Sequence, residues 1–501
     1  MRLLELSIVV AYFILCLYIA FYFRKSAGKG EAAYWGADRS IGFFVNGVAL
    51  FSTLVSTGSF LGFLGLAYRL GWSLTTVAFG VSSCVGFIIS MLLVSGPLRR
   101  FSEIKGKFAM TSFFAERYNP ATALVASILV LILFPAYIVP ELMGAGLAGS
   151  YMLGIDFRYA VIMVGGVYVL YVLVGGMLSV TWTELMQGFL KFFLMVGLSI
   201  TAIYHFGGLG PLLKQATAVN PHYLTLNPKI SLWTYMGISL GVFMFVLSSP
   251  HIIMRLFTSK NVNQGRASLS LTAGMSLVFH LLGYLGVAAA ALIISPKLTE
   301  VDKTYIVVMD ELFSPFFRGL AMAAILAAIM STTGAMLLAC AAEFSNNIYR
   351  RYLNPKASEA QTIRLAKTVI GVIGVLTTIL ALFQTKSIGV IVGLLVEGTG
   401  SSFAVPLLAG IWWKRANAVG GFLSVAGGFV TFVIVHFSNV VPTFAEILIS
   451  LPVSAACMVV GSLLTSPPSR EKVELVTSLH RSISPIQPDQ TLEPSKAATS
   501  K

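Results

Sequence analysis

The 501-residue chain is 56% hydrophobic and only 11% charged, with a formal net charge of +14. That balance excludes a water-soluble domain and places the chain among proteins that cross a membrane many times. The positive charge does not mark a nucleic-acid binder, because the basic residues lie in short loops between apolar runs and form no patch interleaved with aromatics.

The first apolar run, residues 3–23, is as long as a full span and lacks a small-residue cleavage site; Arg24, Lys25 and Lys29 follow it. It is therefore read as a retained helix, not a signal peptide. Windows of about 20 apolar residues predict further spans near 43–66, 72–96, 121–152, 157–175, 178–205, 232–254, 267–294, 317–348, 364–384, 387–412, 418–437 and 443–465. Most of the 34 basic residues then fall on one side, among them Arg99, Arg100, Arg255, Arg350, Arg351 and Lys414. The positive-inside rule places the N-terminus outside and the C-terminus in the cytoplasm. The tail after Ser466 is rich in Ser and Pro and is predicted to be disordered. Cys16, Cys84, Cys340 and Cys457 all lie in apolar runs without metal-ligand spacing and read as small core residues.

Two spans are interrupted. The second contains GVALFSTLVSTGSFLGFLG and the seventh GISLGVFMFVLSSP, each broken near its middle by Gly, Ser or Pro. Broken helices an odd number of spans apart imply two halves of opposite orientation, the inverted repeat of a secondary transporter. The ninth span carries three successive hydroxyls, Ser331, Thr332 and Thr333, among small residues. In hydrocarbon they bond back to their own helix, or they build, with the Ala328 carbonyl, a site for a hard monovalent cation. Placed near the depth of the broken helices, they favour the cation.

Five stretches in order, GADRSIGFFVNGVALFSTLVSTGSFLG from Gly36, GGMLSVTWTELMQG from Gly175, SSPHIIMRLFTSKN from Ser248, AAIMSTTGAMLLACAAEFSNNIYRR from Ala327 and VPLLAGIWWKRANAVGG from Val405, carry a resemblance. The chain resembles the sodium:solute symporters over about residues 1–465, most nearly the carriers of monocarboxylates, pantothenate and proline. The resemblance implies an all-α membrane protein with a LeuT-type 5+5 inverted repeat, one extra N-terminal helix and two extra C-terminal helices. Its parts are an extra helix and inner loop (1–39), two repeats of five helices (40–206 and 207–415), two further helices (416–466) and the tail (467–501).

The resemblance also implies sodium as the co-transported ion, held by the carbonyls of Ser52, Val55 and Ala328 and the hydroxyls of Ser331 and Thr332. Glu184 matches an acidic residue on the path of sodium toward the cytoplasm. The solute pocket departs from the family at Leu54, where relatives often carry a polar or acidic side chain. Thr53, Ser56 and Ser59 are pocket candidates, as are Glu141 and Glu397, two carboxyls inside spans. An ionisable group at that depth is functional by default, unless it lies near a span end or pairs with a neighbour such as Lys191.

The expected function is sodium-coupled import of a small organic solute, either a monocarboxylate, a pantothenate-like acid or an amino acid. Two carboxyls facing an anion would repel it, so an amino acid or amine suits them better. The alternatives are a proton-coupled carrier that uses Glu141 or Glu397, and a membrane solute sensor. The expected partners are the solute, sodium and membrane lipid of a plasma (bacterial inner) membrane, with no nucleic acid. Asp302-Lys303-Thr304 lacks the rest of a phosphorylated pump motif, no phosphate-binding loop occurs, and no catalytic constellation points to an enzyme.

Overall fold

In hydrocarbon every backbone N–H and C=O must find a partner within the protein, and apolar runs meet that demand by closing into helices. The computed structural model describes residues 3–27, 30–383 and 387–480. Among them the only strand-like pairing is an isolated bridge between Ile41 and Ser259. Ten helices are long and apolar enough to cross a bilayer, and one bent pair makes an eleventh span. Two shorter apolar helices, Phe157–Leu170 and Ile447–Leu463, stand where the other predicted spans fall.

In chain order the principal helices are α1 (Leu3–Ala27), the bent pair α2 (Phe43–Leu54) and α3 (Gly58–Leu70), α4 (Trp72–Leu93), α5 (Pro120–Leu153), α6 (Phe157–Gly175) and α7 (Met177–His205), with shorter helices between them. The second half holds α8 (Leu232–Ser248), α9 (Pro250–Thr258), α10 (Val262–Ile294), α11 (Pro315–Ala342), α12 (Glu359–Ala381) and α13 (Ile388–Trp412). Last come α14 (Ala418–Ser438), α15 (Ile447–Leu463) and α16 (Arg470–His480).

Both expected interruptions are present. The axes of α2 and α3 differ by 63° across the gap at Val55–Thr57. Between α8 and α9, Ser249 is extended (φ −72°, ψ 125°) and Pro250, which has no N–H to leave unsatisfied, opens α9. At the centre lies α11, whose apolar window is wholly buried by α1, α5, α7 and α12. Alanines and glycines along it let those neighbours come close.

The tail departs from expectation. Residues 470–480 form a helix instead of a disordered segment, because Leu475, Val476 and Leu479 give them an apolar face to bury. Lys472 donates to the Glu116 carbonyl, Arg100 Nη1 to the Leu479 carbonyl (3.2 Å), and His480 Nε2 meets the Ile411 carbonyl (3.0 Å). The rest of the expected tail, 481–501, lies outside the described residues.

The bent pair is seated by backbone-to-backbone contact. A Cβ added at Gly62 in α3 would lie 2.5 Å from the Gly389 nitrogen in α13, whereas one at Gly166 in α6 would meet nothing within 4 Å. Gly62→Ala should cost about 1–3 kcal/mol through overpacking and lower the melting midpoint in detergent. Gly166→Ala should leave the midpoint unchanged, and equal midpoints for the two variants would contradict this packing.

Candidate cation and solute site

A helix that stops inside a membrane bares its last carbonyls. At the end of α2 the Val55 N–H bonds the Phe51 carbonyl and the Ser56 N–H turns back to Leu54, which leaves the carbonyls of Ser52, Thr53 and Val55 to other donors. Ser331 Oγ on α11 lies 2.9 Å from the Ser52 carbonyl and 3.2 Å from that of Ala328, and Thr332 Oγ1 donates to Thr53 at 3.0 Å. The oxygens expected to hold sodium are thus drawn together between α2 and α11. Thr332 donates its proton to the Thr53 carbonyl and keeps the oxygen lone pairs free to accept.

Lys191 fills the centre of this cage. From α7 its Nζ donates to the Ser52 carbonyl (2.5 Å), the Val55 carbonyl (2.8 Å) and Ser331 Oγ (2.8 Å), and the side chain is fully buried. These three bonds use all the donors an ammonium has. Unit charges of like sign 4 Å apart repel by about 4 kcal/mol at an effective dielectric of 20, so a sodium ion and this ammonium cannot share the cage. Gly188 makes the reach available: a Cβ there would lie 2.8 Å from the Val48 carbonyl, so α7 and α2 touch at backbone distance.

Glu184, two turns before Lys191, is fully buried. It is ion-paired with Arg255 of α9, and its Oε2 also accepts from Thr53 Oγ1 at 3.1 Å. Arg255 bonds Thr181 Oγ1 as well. Both charged side chains are buried, so each depends on the other. Thr53 accordingly faces this ion pair rather than a solute.

A second cluster lies at the start of α3. Glu141 of α5 accepts the Thr57 N–H at 2.8 Å, an anion set against the positive end of a helix. The buried hydroxyls of Ser56 and Thr57 stand beside this carboxyl. Tyr137 lies beside Ser56 one turn earlier on α5 and stacks on Phe245 of α8, with ring centroids 6.1 Å apart. At Gly144 an added Cβ would be 2.0 Å from Thr57 Cγ2, so α5 lies directly against the break.

Of the remaining candidates, Ser59 stays beside the break and Glu397 does not. Glu397 leaves the break and accepts the Ile447 N–H at the start of α15 (3.1 Å), next to Glu446, which pairs with His436. Ser59 lies 3.5 Å from the Leu54 carbonyl, while its own carbonyl takes the Tyr284 hydroxyl. The break therefore brings together Ser52, Val55, Ser56, Ala328, Ser331 and Glu141 with Lys191, and leaves out Glu397. His251 and His280 bond to Ser249 and Ser276 within the core.

The family model described as "Sodium:solute symporter family" matches residues 34–428. The chain belongs to this family. It is 28% identical over 480 residues to the osmoregulated proline transporter OpuE of Bacillus subtilis, covering 93% of this chain and 95% of that one. It is 26% identical over 483 residues to a sodium/proline symporter of Staphylococcus aureus, covering 92% of each. Its fold matches that of a Na+-coupled sialic acid symporter with a TM-score of 0.82 at 18% identity, covering 93% of this chain and 99% of the other. It also matches Mhp1, a nucleobase-cation-symport-1 family transporter, with a TM-score of 0.61 at 14% identity over 88% and 97% of the two chains. The fold is thus LeuT-type, and the protein is an integral membrane transporter that moves a small solute with sodium as the co-transported ion; it is not an enzyme.

The Glu184–Arg255 pair makes a direct prediction. Arg255→Ala leaves a buried carboxylate alone and should cost about 3–5 kcal/mol, whereas adding Glu184→Gln should restore much of the loss. Thermal melts in detergent of the single and double variants check this; additive losses would contradict the pairing.

Proposed function

We propose that the chain imports a small amine-bearing solute of the amino-acid class by alternating access, with solute and cation meeting at the break between α2 and α3. One observation carries the reading: the buried Glu141 carboxyl at the start of α3, with the Ser56 and Thr57 hydroxyls beside it. A carboxylate oxygen accepts more than one hydrogen bond, so this cluster has room for a donor from a ligand. Glu141 already neutralises the start of α3, which leaves little there to attract a bare carboxylate and favours an ammonium. A monocarboxylate or pantothenate-like acid fits this cluster poorly. Two of the relatives named above are proline carriers, and proline has such a donor.

The orientation that fits is N-terminus outside and C-terminus cytoplasmic in a plasma (bacterial inner) membrane, as loop charge directs. Residues 40–206 and 207–415 act as two inverted halves that rock about the break, surrounded by lipid. Inward sodium flow then supplies about 2.3 kcal/mol per charge per 100 mV of potential, plus its concentration term. The Glu184–Arg255 pair lies below the cage, so it must open before an ion passes inward.

The test is uptake of labelled proline and other amino acids into proteoliposomes under an inward sodium gradient. Glu141→Gln keeps the bond from Thr57 but loses the charge. A hydrogen bond to a charged group contributes about 1.5–3 kcal/mol, so uptake should fall roughly 10- to 100-fold at sub-saturating solute. Unchanged uptake in that variant, or preference for acids without an amine, would contradict the proposal. Uptake driven by a proton gradient alone would replace sodium with the proton as coupling ion.

A further inference from the structure

We propose that Lys191 is a tethered competitor of sodium, which its ammonium replaces in the cage between α2 and α11, so that the ion enters only after this side chain has left. The inference rests on the reading of the chain as sodium-coupled and adds what that coupling must displace.

The atoms in the cage are of the acceptor type a sodium ion needs. The carbonyls of Ser52 and Val55 can only accept, and Nζ sits 2.5 and 2.8 Å from them, with Ser331 Oγ at 2.8 Å. A lysine placed to neutralise a carboxylate would direct Nζ at it, whereas this Nζ bonds neither Glu184 nor Glu141, although both are near enough to act on its charge. Glu184 is held by Arg255 and Thr53, and Glu141 by the Thr57 N–H. What fixes Lys191 is therefore the set of oxygens itself. Those oxygens are bare because α2 ends there, so a chain without Lys191 would present them to a free ion. The tether also explains how the cage can be satisfied without an ion: the long, flexible stem swings a cation in and out without bringing one from solution.

Competition differs from support in the direction of one effect. If Lys191 competes, neutralising it strengthens sodium binding; if it merely holds the helices together, neutralising it weakens sodium binding. The experiment is the melting midpoint of purified protein in detergent, titrated with sodium against potassium, for wild type, Lys191→Met, Lys191→Gln and Lys191→Met/Ser331→Ala. The sodium concentration giving half the effect should fall at least about tenfold in both neutral variants, and the added Ser331→Ala should reverse the gain. An unchanged or weakened sodium response in Lys191→Met and Lys191→Gln overturns the proposal.

If neither neutral variant folds, the wild type decides. Reductive methylation of Lys191, read by mass spectrometry, should rise in sodium but not in potassium, and equal labelling in the two salts overturns the proposal. Sodium dependence of wild-type uptake, measured separately, keeps the two readings apart. Wild-type uptake indifferent to sodium, together with a sodium response gained by the neutral variants, keeps the competitor and removes the sodium coupling. Sodium-dependent wild-type uptake with sodium binding lost in the neutral variants does the reverse.

Discussion

A helix broken inside a membrane leaves backbone groups that no water can reach, and satisfying the two ends of one such break is the constraint on which the centre of this protein depends. The two ends ask for opposite charges. The carbonyl end of α2 favours a cation and receives Lys191, while the N–H end of α3 favours an anion and receives Glu141. Ser331 and Thr332 of α11 complete the first set of bonds. The break is thus closed by side chains from α5, α7 and α11, each of which must move before the break can change its occupants.

That arrangement suits a transporter that exchanges partners. In the proposed exchange a free ion takes over bonds that Lys191 already makes within the chain. The net free energy of each step is then a difference between two good sets of bonds, which keeps both binding and release within reach. The buried Glu184–Arg255 pair is tied to the same strip of α2 through Thr53, next to the cage. α11, which carries Ser331 and Thr332 to the break, is buried along its whole apolar window.

Much of this was legible in the sequence. Apolar windows located the helices, and Gly-Ser-Thr runs located the break in the second span, because both follow from backbone satisfaction alone. Ser331 and Thr332, with the Ala328 carbonyl one turn back, were legible as hydroxyls that either bond their own helix or hold a cation. Lys191 reads in the sequence as a charge within a span and as a partner for a neighbouring carboxyl, whereas its Nζ goes to carbonyls and a hydroxyl. Its signal was its spacing from Glu184 and Gln187, which puts all three on one face of α7, with Gly188 allowing the close approach of α2. Which oxygens it would reach depended on the crossing of α7 and α2, and no local pattern encodes that. Glu397 misled for the same reason: an acid in a span looks functional, but only the packing of α13 on α15 reveals the Ile447 N–H that it caps. The helix at 470–480 was hidden by the polar composition of the tail around it.

The measurement that bears most directly on the central claim, that cation and solute meet at one break, is the affinity of the purified wild-type protein for proline in sodium and in potassium. It should be paired with the affinity for sodium with and without proline. If both ligands engage the same break, sodium tightens proline binding by some factor and proline tightens sodium binding by that same factor, as linkage requires. Proline, or whichever amino acid a screen of the class selects, binding equally well in the two salts would contradict the account.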